Sequence, residues 1–283
     1  MDHDKRDRAY KAAAHITREQ LWRDAPERAR ALDAVKQSDV VVVAGIYDHV
    51  ESVLEALDVP HIVIGTRDVE RVELRPEQLL IVNCPGEVSA AATTRIRAFV
   101  EAGGSLFTTD WALRHVLEPA FPGVLAFDKA PTPDDVVRIE VRDAGNIYLQ
   151  GVLDGQDDPQ WWLEASSYPI SIVDRERVEV LITSRELGEK YGEAPVAVWF
   201  RWGRGDVFHM ISHYYLQRTE LRTARHRVGA GSYFAEKGMA MTPAMREEFA
   251  DLSLADVESA KPSAAFMSNV IIEKKRRQRE GES

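Results

Sequence analysis

One thiol, several carboxylates and two closely spaced histidines are the groups in this chain that could do chemistry. Cys84 closes an apolar run, Leu79 to Val82, inside Asn83-Cys84-Pro85-Gly86, where Pro85 and Gly86 stop a strand. With a basic partner and a lowered pKa such a thiol is a nucleophile. Without them it is a small buried residue before a turn. Asp110 follows a second run, Ser105 to Thr108, and there it could act as a general base or nucleophile. It could equally cap the helix starting at Trp111 by accepting from free amides, with Thr108 and Thr109 following its role. His209 and His213 have the H-x-x-x-H spacing that pairs two imidazoles on a helix. Val207, Phe208 and Ile211 favour a strand instead, and four residues at about 3.3 Å each set the two anchors roughly 13 Å apart. One ion cannot bridge that gap, so no metal site is expected. His213 alone, at the strand's end, is the histidine to watch. Glu164 and Tyr168 share a loop beside Trp161-Trp162, and the tryptophans read as packing. Gly203-x-Gly205 precedes a strand and not a helix, so no phosphate cradle and no cofactor is expected.

These residues need a scaffold, and Leu79 to His115 supplies its centre. Val88, Ala92, Ile96, Phe99 and Val100 recur at helical spacing between the two runs, and Gly103-Gly104 end that helix. The unit is β-α-β, so its strands should be parallel neighbours, with the loops after their carboxyl ends forming the ligand crevice. Upstream, Val40 to Val43 is β-branched throughout, as in a strand buried on both faces. Asp48-x-x-Glu51 looks like the cap of a helix carrying Val50, Val53, Leu54 and Leu57, and His61 to Ile64 is the next strand. Residues 1–37 read as helical, with Thr17-x-x-Gln20 as a capping box and Asp24-x-Pro26 opening a second helix. Four prolines between Glu118 and Asp135 exclude regular structure over most of that stretch. Val136–Val141 alternates like a half-exposed antiparallel strand, and Val178–Thr183, Val196–Phe200 and Asp206–His213 are further strands. A closing helix is expected over Ser263–Arg279, with Phe266, Val270 and Ile271 inward and a basic last turn.

An apolar share of 45% suffices for a full core, and a net charge of −10 with pI near 5.4 argues against nucleic acid or an anionic membrane as partner. A single Cys excludes an internal disulfide and fits the cytoplasm. The N-terminal residues lack a signal peptide's apolar core, and no run reaches the roughly 18–20 apolar residues of a membrane span.

Together the pattern resembles the class I glutamine amidotransferase-like superfamily, in its trehalose-utilisation (ThuA-like) type. Leu79 to Gly86 resembles that family's strand and Pro-Gly loop, and Ile96 to Asp110 its helix, Gly-Gly turn and next strand. Trp202 to His213 resembles its late strand with a terminal His, and Phe266 to Ile271 its closing helix, with 214–262 looking like an insertion. The resemblance implies a flavodoxin-like α/β fold, mostly parallel, with helices on both faces and an antiparallel extension. The chain is expected to divide into a helical segment at 1–37, the α/β domain at 38–235, and a helical segment at 236–283 docked on the same domain. Family enzymes that hydrolyse glutamine carry Cys in a G-x-C-x-G elbow. Here Thr108 to Ala112 puts Asp110 in that place and lacks both glycines. A carboxylate cannot do thioester chemistry, so glutaminase activity is not expected. The resulting expectation is a domain that binds a small molecule or a protein partner at the sheet's carboxyl edge, with room for a homo-oligomer. Cys84, Gly86, Thr109 and Tyr168 are its candidate ligand-binding residues. The alternative is a hydrolase or carbohydrate-modifying enzyme with Asp110, His213 and Glu164 as catalytic residues.

Overall fold

A computed structural model describes residues 3–127, 130–215 and 218–281, so the ends of the expected 1–37 and 236–283 segments lie outside the described residues. Its centre is an eight-stranded sheet. The five strands β1 (Val40–Val43), β2 (Ile62–Ile64), β3 (Leu79–Val82), β4 (Ser105–Thr109) and, much later in the chain, Gly205–Met210 pair in parallel. Three short strands, β5 (Leu125–Phe127), β6 (Asp135–Arg138) and β7 (Glu140–Val141), follow β4, then β8 (Gln160–Leu163), β9 (Ile170–Ile172), β10 (Glu179–Thr183) and β11 (Pro195–Trp202). With Gly205–Met210 as β12, the order across the sheet is β2-β1-β3-β4-β12-β11-β10-β7. β11, β10 and β7 add on antiparallel beyond β12, which makes the expected extension. The fold is therefore α/β, a mostly parallel sheet with helices and an antiparallel edge.

Val40 to Val43, Leu79 to Val82 and Ser105 to Thr109 are buried along their whole length, which is why the first two are apolar without alternation. The helices are α1 (His3–Asp24), α2 (Pro26–Asp33), α3 (Val50–Ala56), α4 (Ala90–Glu101), the short α5 (Glu118–Ala120), α6 (Arg185–Tyr191), α7 (Ala230–Glu236), α8 (Pro243–Glu248) and α9 (Leu254–Glu280). Ser89 caps α4 by accepting from the Ala92 amide. Phe266 of α9 meets Phe107 of β4 and Phe208 of β12 edge-on, at 5.8 and 6.3 Å between ring centroids. α1 lies along α9 and buries Ala9, Tyr10, Ala12, Ala13 and Ile16.

Several local expectations are corrected. The closing helix begins at Leu254, nine residues before Ser263, and runs through Pro262. Proline removes one backbone hydrogen bond, but the helix is buried from Leu254 to Lys274, and tertiary packing overrides the breaker. Its start is set by a capping box between Ser253 and Asp256. Thr17 is no cap: α1 continues through it and its hydroxyl donates to the Ala13 carbonyl at 2.9 Å. Val136–Val141 is two strands, β6 on β8 and β7 on β10, and β5 forms within the proline-rich stretch by pairing with β9. Asp48 does not cap α3, whose N-cap His49 makes no side-chain capping bond. It is fully buried and accepts from the amides of His49, Tyr214 and Tyr215 at 2.8 to 3.1 Å.

Candidate functional site

Three loops leave the carboxyl ends of adjacent parallel strands: 44–49 after β1, 83–89 after β3 and 110–112 after β4. They meet there because parallel neighbours end on the same side. The chain after β12 brings His213 to the same place, and the loop after β8 brings Glu164. Together they line a cavity of about 210 Å³ whose walls are Tyr47, Cys84, Asp110, Trp111, Glu164, Ala165, Ser166 and His213.

The first two of these loops are packed with almost no slack. A Cβ on Gly45 would sit 2.3 Å from the Cys84 carbonyl. Gly86 adopts φ +69°, and a Cβ there would come within 2.8 Å of the Ala112 methyl. Gly86 is thus a buried packing residue that lets the β3 loop and the Trp111–Ala112 turn touch, and it does not line the cavity. Thr109 lies behind the wall as well. Its Oγ1 accepts from the Cys84 amide at 3.0 Å and thereby fixes the thiol's backbone.

Asp110 does not act as a helix cap. Its backbone has φ +42°, an uncommon conformation for a residue with a side chain, and this turns the carboxylate away from the following helical turns, Leu113–Leu117 and α5. One oxygen accepts from the Tyr168 amide at 2.8 Å, the other from the Ser167 hydroxyl at 3.1 Å, and that second oxygen lies 3.3 Å from His213 Nε2. Tyr168 itself serves from behind: its ring is stacked between Phe127 and Trp111, and the Trp111 indole donates to the Ser166 carbonyl at 2.7 Å. Ser166, at φ +77°, is a second strained residue of the rim.

His213 is the hub. Nε2 faces Asp110, Nδ1 lies 2.8 Å from Glu164 Oε2, and the Trp162 ring stands edge-on to the imidazole at 6.2 Å. The ring is 2% exposed, and neither nitrogen has an aligned hydrogen bond among the described residues despite these short separations. Burial alone would lower its pKa, but Asp110, Cys84, Glu164 and the buried Asp48 hold it well above the ordinary imidazole value. Burial pushes Asp48 and Asp110 up, against the pull of His213, and pushes the Cys84 thiol up to about 11. His209 stays out of this group. It points into the sheet, shares a 2.9 Å hydrogen bond with Thr108 Oγ1, and burial lowers its pKa to about 3.

The structure therefore brings together Cys84, Asp110, Glu164 and His213, which the sequence places more than one hundred positions apart at the extremes. Tyr47, Trp111, Ser166 and Ser167 were missed as site residues. Tyr47 follows the carboxyl end of β1, so the rule that singled out the β3 and β4 loops would have found it.

No protein-family model matches the chain, and no curated protein is significantly similar to it. Among solved structures, a GMP synthase subunit protein from Thermoplasma acidophilum superposes with a TM-score of 0.51 at 11% identity, covering 87% of this chain and 97% of that one. A cold-adapted β-galactosidase from Rahnella sp. R3 has a TM-score of 0.46 at 17% identity, over 69% of this chain and 32% of its own. A ThuA-like protein from Bacteroides uniformis has 0.43 at 14% identity, over 64% of this chain and 84% of its own. The chain spans about a third or less of the length of the β-galactosidases it matches. At such identities the likeness is one of fold alone.

Proposed function

We propose that this chain is a glutamine amidotransferase-like domain that binds a small polar molecule at the carboxyl edge of its sheet and does not hydrolyse glutamine. The observation that carries the reading is the state of Asp110. It stands where such enzymes carry their nucleophile, and both of its oxygens are taken up by Tyr168, Ser167 and His213. The only thiol sits on the neighbouring loop, and burial keeps it protonated at neutral pH, hence a poor nucleophile. The cavity, at about 210 Å³, is smaller than the roughly 300–1,000 Å³ typical of drug-sized ligands, so it suits a molecule of few heavy atoms. Its wall offers the Glu164 carboxylate as an acceptor beside the Tyr47 and Trp111 rings, and among the described residues no Lys or Arg lines it. Such a wall favours an amine or a polyol over an anion.

A hydrolytic reading built on Asp110, Glu164 and His213 has their convergence in its favour, but it is the weaker one, because the carboxylate it would use is already committed. We further take residues 1–37 and 236–283 to belong to the same unit as 38–235, on the strength of the long α1–α9 contact.

The test has two arms. Incubation with glutamine should release no more ammonia than a heat-killed control, and sustained turnover abolished by Cys84→Ala would overturn the first half of the proposal. A ligand-observed NMR screen of small amines and polyols should give binders that Trp111→Ala weakens. An empty screen, or hits indifferent to this change, would overturn the second half.

A further inference from the structure

His213 poses a problem that its neighbours do not solve. A buried imidazole with two nitrogens and no aligned hydrogen bond on either is costly, because each unmet polar atom forfeits its hydration. Around it stand three carboxylates, Asp48, Asp110 and Glu164, and a thiol, while none of the described residues lining the cavity is Lys or Arg. The pocket floor is short of positive charge.

The ligand atoms suit a divalent cation. One atom each from Cys84, Asp110 and His213 lies within 4.8 Å of the other two, and all three residues are buried. The Asp110 Oδ2 to His213 Nε2 separation is 3.3 Å, the edge that roughly 2.0–2.1 Å bonds make in a tetrahedron. With the ion on Nε2, the other ring nitrogen is left facing the Glu164 carboxylate at 2.8 Å. Ligating histidines are oriented by an outer carboxylate accepting from the second N–H, and Glu164 stands at that distance although the two are not aligned for a hydrogen bond without the ion. Tyr47, Trp111 and Ser166 line the same cavity.

We propose that Cys84, Asp110 and His213 form a divalent metal site at the floor of this cavity, oriented by Glu164. A thiolate, an imidazole and a carboxylate together are a borderline set that suits Zn²⁺ in tetrahedral geometry. The thiolate and carboxylate charges balance the ion. Binding displaces the thiol proton, and any proton on Nε2, to bulk water. The sequence could not show this set, because its members sit at the ends of three different strands. The sequence led to the expectation of no metal site, from which this proposal departs; the one pair weighed there, His209 with His213, has its rings in different surroundings. This metal site rests on the reading of the cavity as a ligand site, but it does not require that the organic ligand be known.

The whole chain, stripped with a chelator and titrated with Co²⁺ as a spectroscopic stand-in for Zn²⁺, gives the test. Cys84 is the sole cysteine, so any thiolate-to-cobalt charge-transfer band in the near ultraviolet reports on it alone. The expected result is a band that saturates at one Co²⁺ per chain, is lost on Zn²⁺ addition and is absent in Cys84→Ser. Glu164→Gln should keep the band and weaken affinity about 10–100-fold, as outer carboxylates do. Circular dichroism confirms that each variant is folded. No band under excess Co²⁺ on the folded chain overturns the proposal, as does a band whose affinity is unchanged in His213→Ala. The NMR screen repeated on the stripped chain separates the two readings. Amine or polyol binding without a cobalt band removes the metal and leaves the pocket, whereas a band without any organic binder does the reverse.

Discussion

Two regions of this molecule bury polar side chains, and they do so in opposite ways. Under the sheet, along α9, Lys261 donates to the carbonyls of Gly151 and Val152. Asn269 donates to those of Tyr148 and Gln150 and accepts from Arg28, and Glu273 pairs with Arg28 at 2.6 Å and Arg276 at 2.9 Å. Each of these three groups is met by a partner of the right kind, whereas Glu258 Oε2 and Ser263 Oγ elsewhere on the same helix have no hydrogen bond among the described residues. At the carboxyl edge, His213 and Glu164 approach each other without an aligned bond, beside two residues in left-handed backbone conformations, Asp110 and Ser166. The first region spends its polar groups on holding a long helix in place. The second keeps unmet valence and strain, which persist only where the surroundings over-determine them, and which cluster at sites that bind something.

If that contrast is sound, substitutions in the helical layer should cost stability and those at the edge should not. The largest effect belongs to Phe266, fully buried against Phe107 and Phe208. Phe266→Ala leaves a cavity under the centre of the sheet and should cost about 3–5 kcal/mol. A thermal midpoint equal to the parent's would show that the helix is dispensable, and the comparison would lose one side.

Lys261 comes next. Burial lowers its pKa from 10.5 to about 8, so the folded chain sheds this proton before the unfolded chain does. Between about pH 8 and 10.5 the unfolded state binds more protons, and stability should rise with pH by up to about 3 kcal/mol from this group. Below pH 8 both states hold the proton and the contribution is flat. Lys261→Met should remove that rise, which the difference between parent and variant denaturation curves isolates from other groups titrating there. Parallel curves across the window would mean that the ammonium is not buried in solution.

The same contrast explains what could be read in the sequence. The parallel strands were legible because burial on both faces leaves an uninterrupted apolar run, as in Val40 to Val43 and Leu79 to Val82. α4 was legible because its period and its closing glycines agree. The site was legible only in pieces. Cys84, Asp110 and His213 each stood at a strand's carboxyl end, but their meeting depends on the sheet order, which places β12 beside β4 although about one hundred residues separate them. The cap reading of Asp48, and the one offered for Asp110 beside its catalytic reading, fail for one reason. Each residue precedes a helical segment, where a carboxylate ordinarily caps, and only the fold shows them buried and turned toward the Tyr214–Tyr215 backbone and His213 respectively. Pro262 misled in the opposite direction, because local propensity is weak against a helix packed on all sides.

The smallest effect is expected where the buried charge is most conspicuous. Removing one member of a buried ion pair commonly costs about 3–5 kcal/mol, because its partner is left charged and alone. Asp110 and His213, both 2% exposed, look like such a pair. Three features argue for a smaller loss. Glu164 remains 2.8 Å from the other ring nitrogen, so His213 is not stranded if it stays charged. If it loses its proton instead, Nε2 can accept from an Asn amide at the same position. Burial already opposes the Asp110 carboxylate, and Asn keeps an oxygen for the Tyr168 amide. Asp110→Asn, measured with chelator present, should therefore change stability by less than about 1 kcal/mol, or raise it slightly, as substitutions at strained binding sites often do. Chemical denaturation of the two proteins at neutral pH decides the matter. A loss of about 3 kcal/mol or more would mean that this pair holds the fold together as Glu273 and Arg28 do, and the distinction between the two regions would collapse.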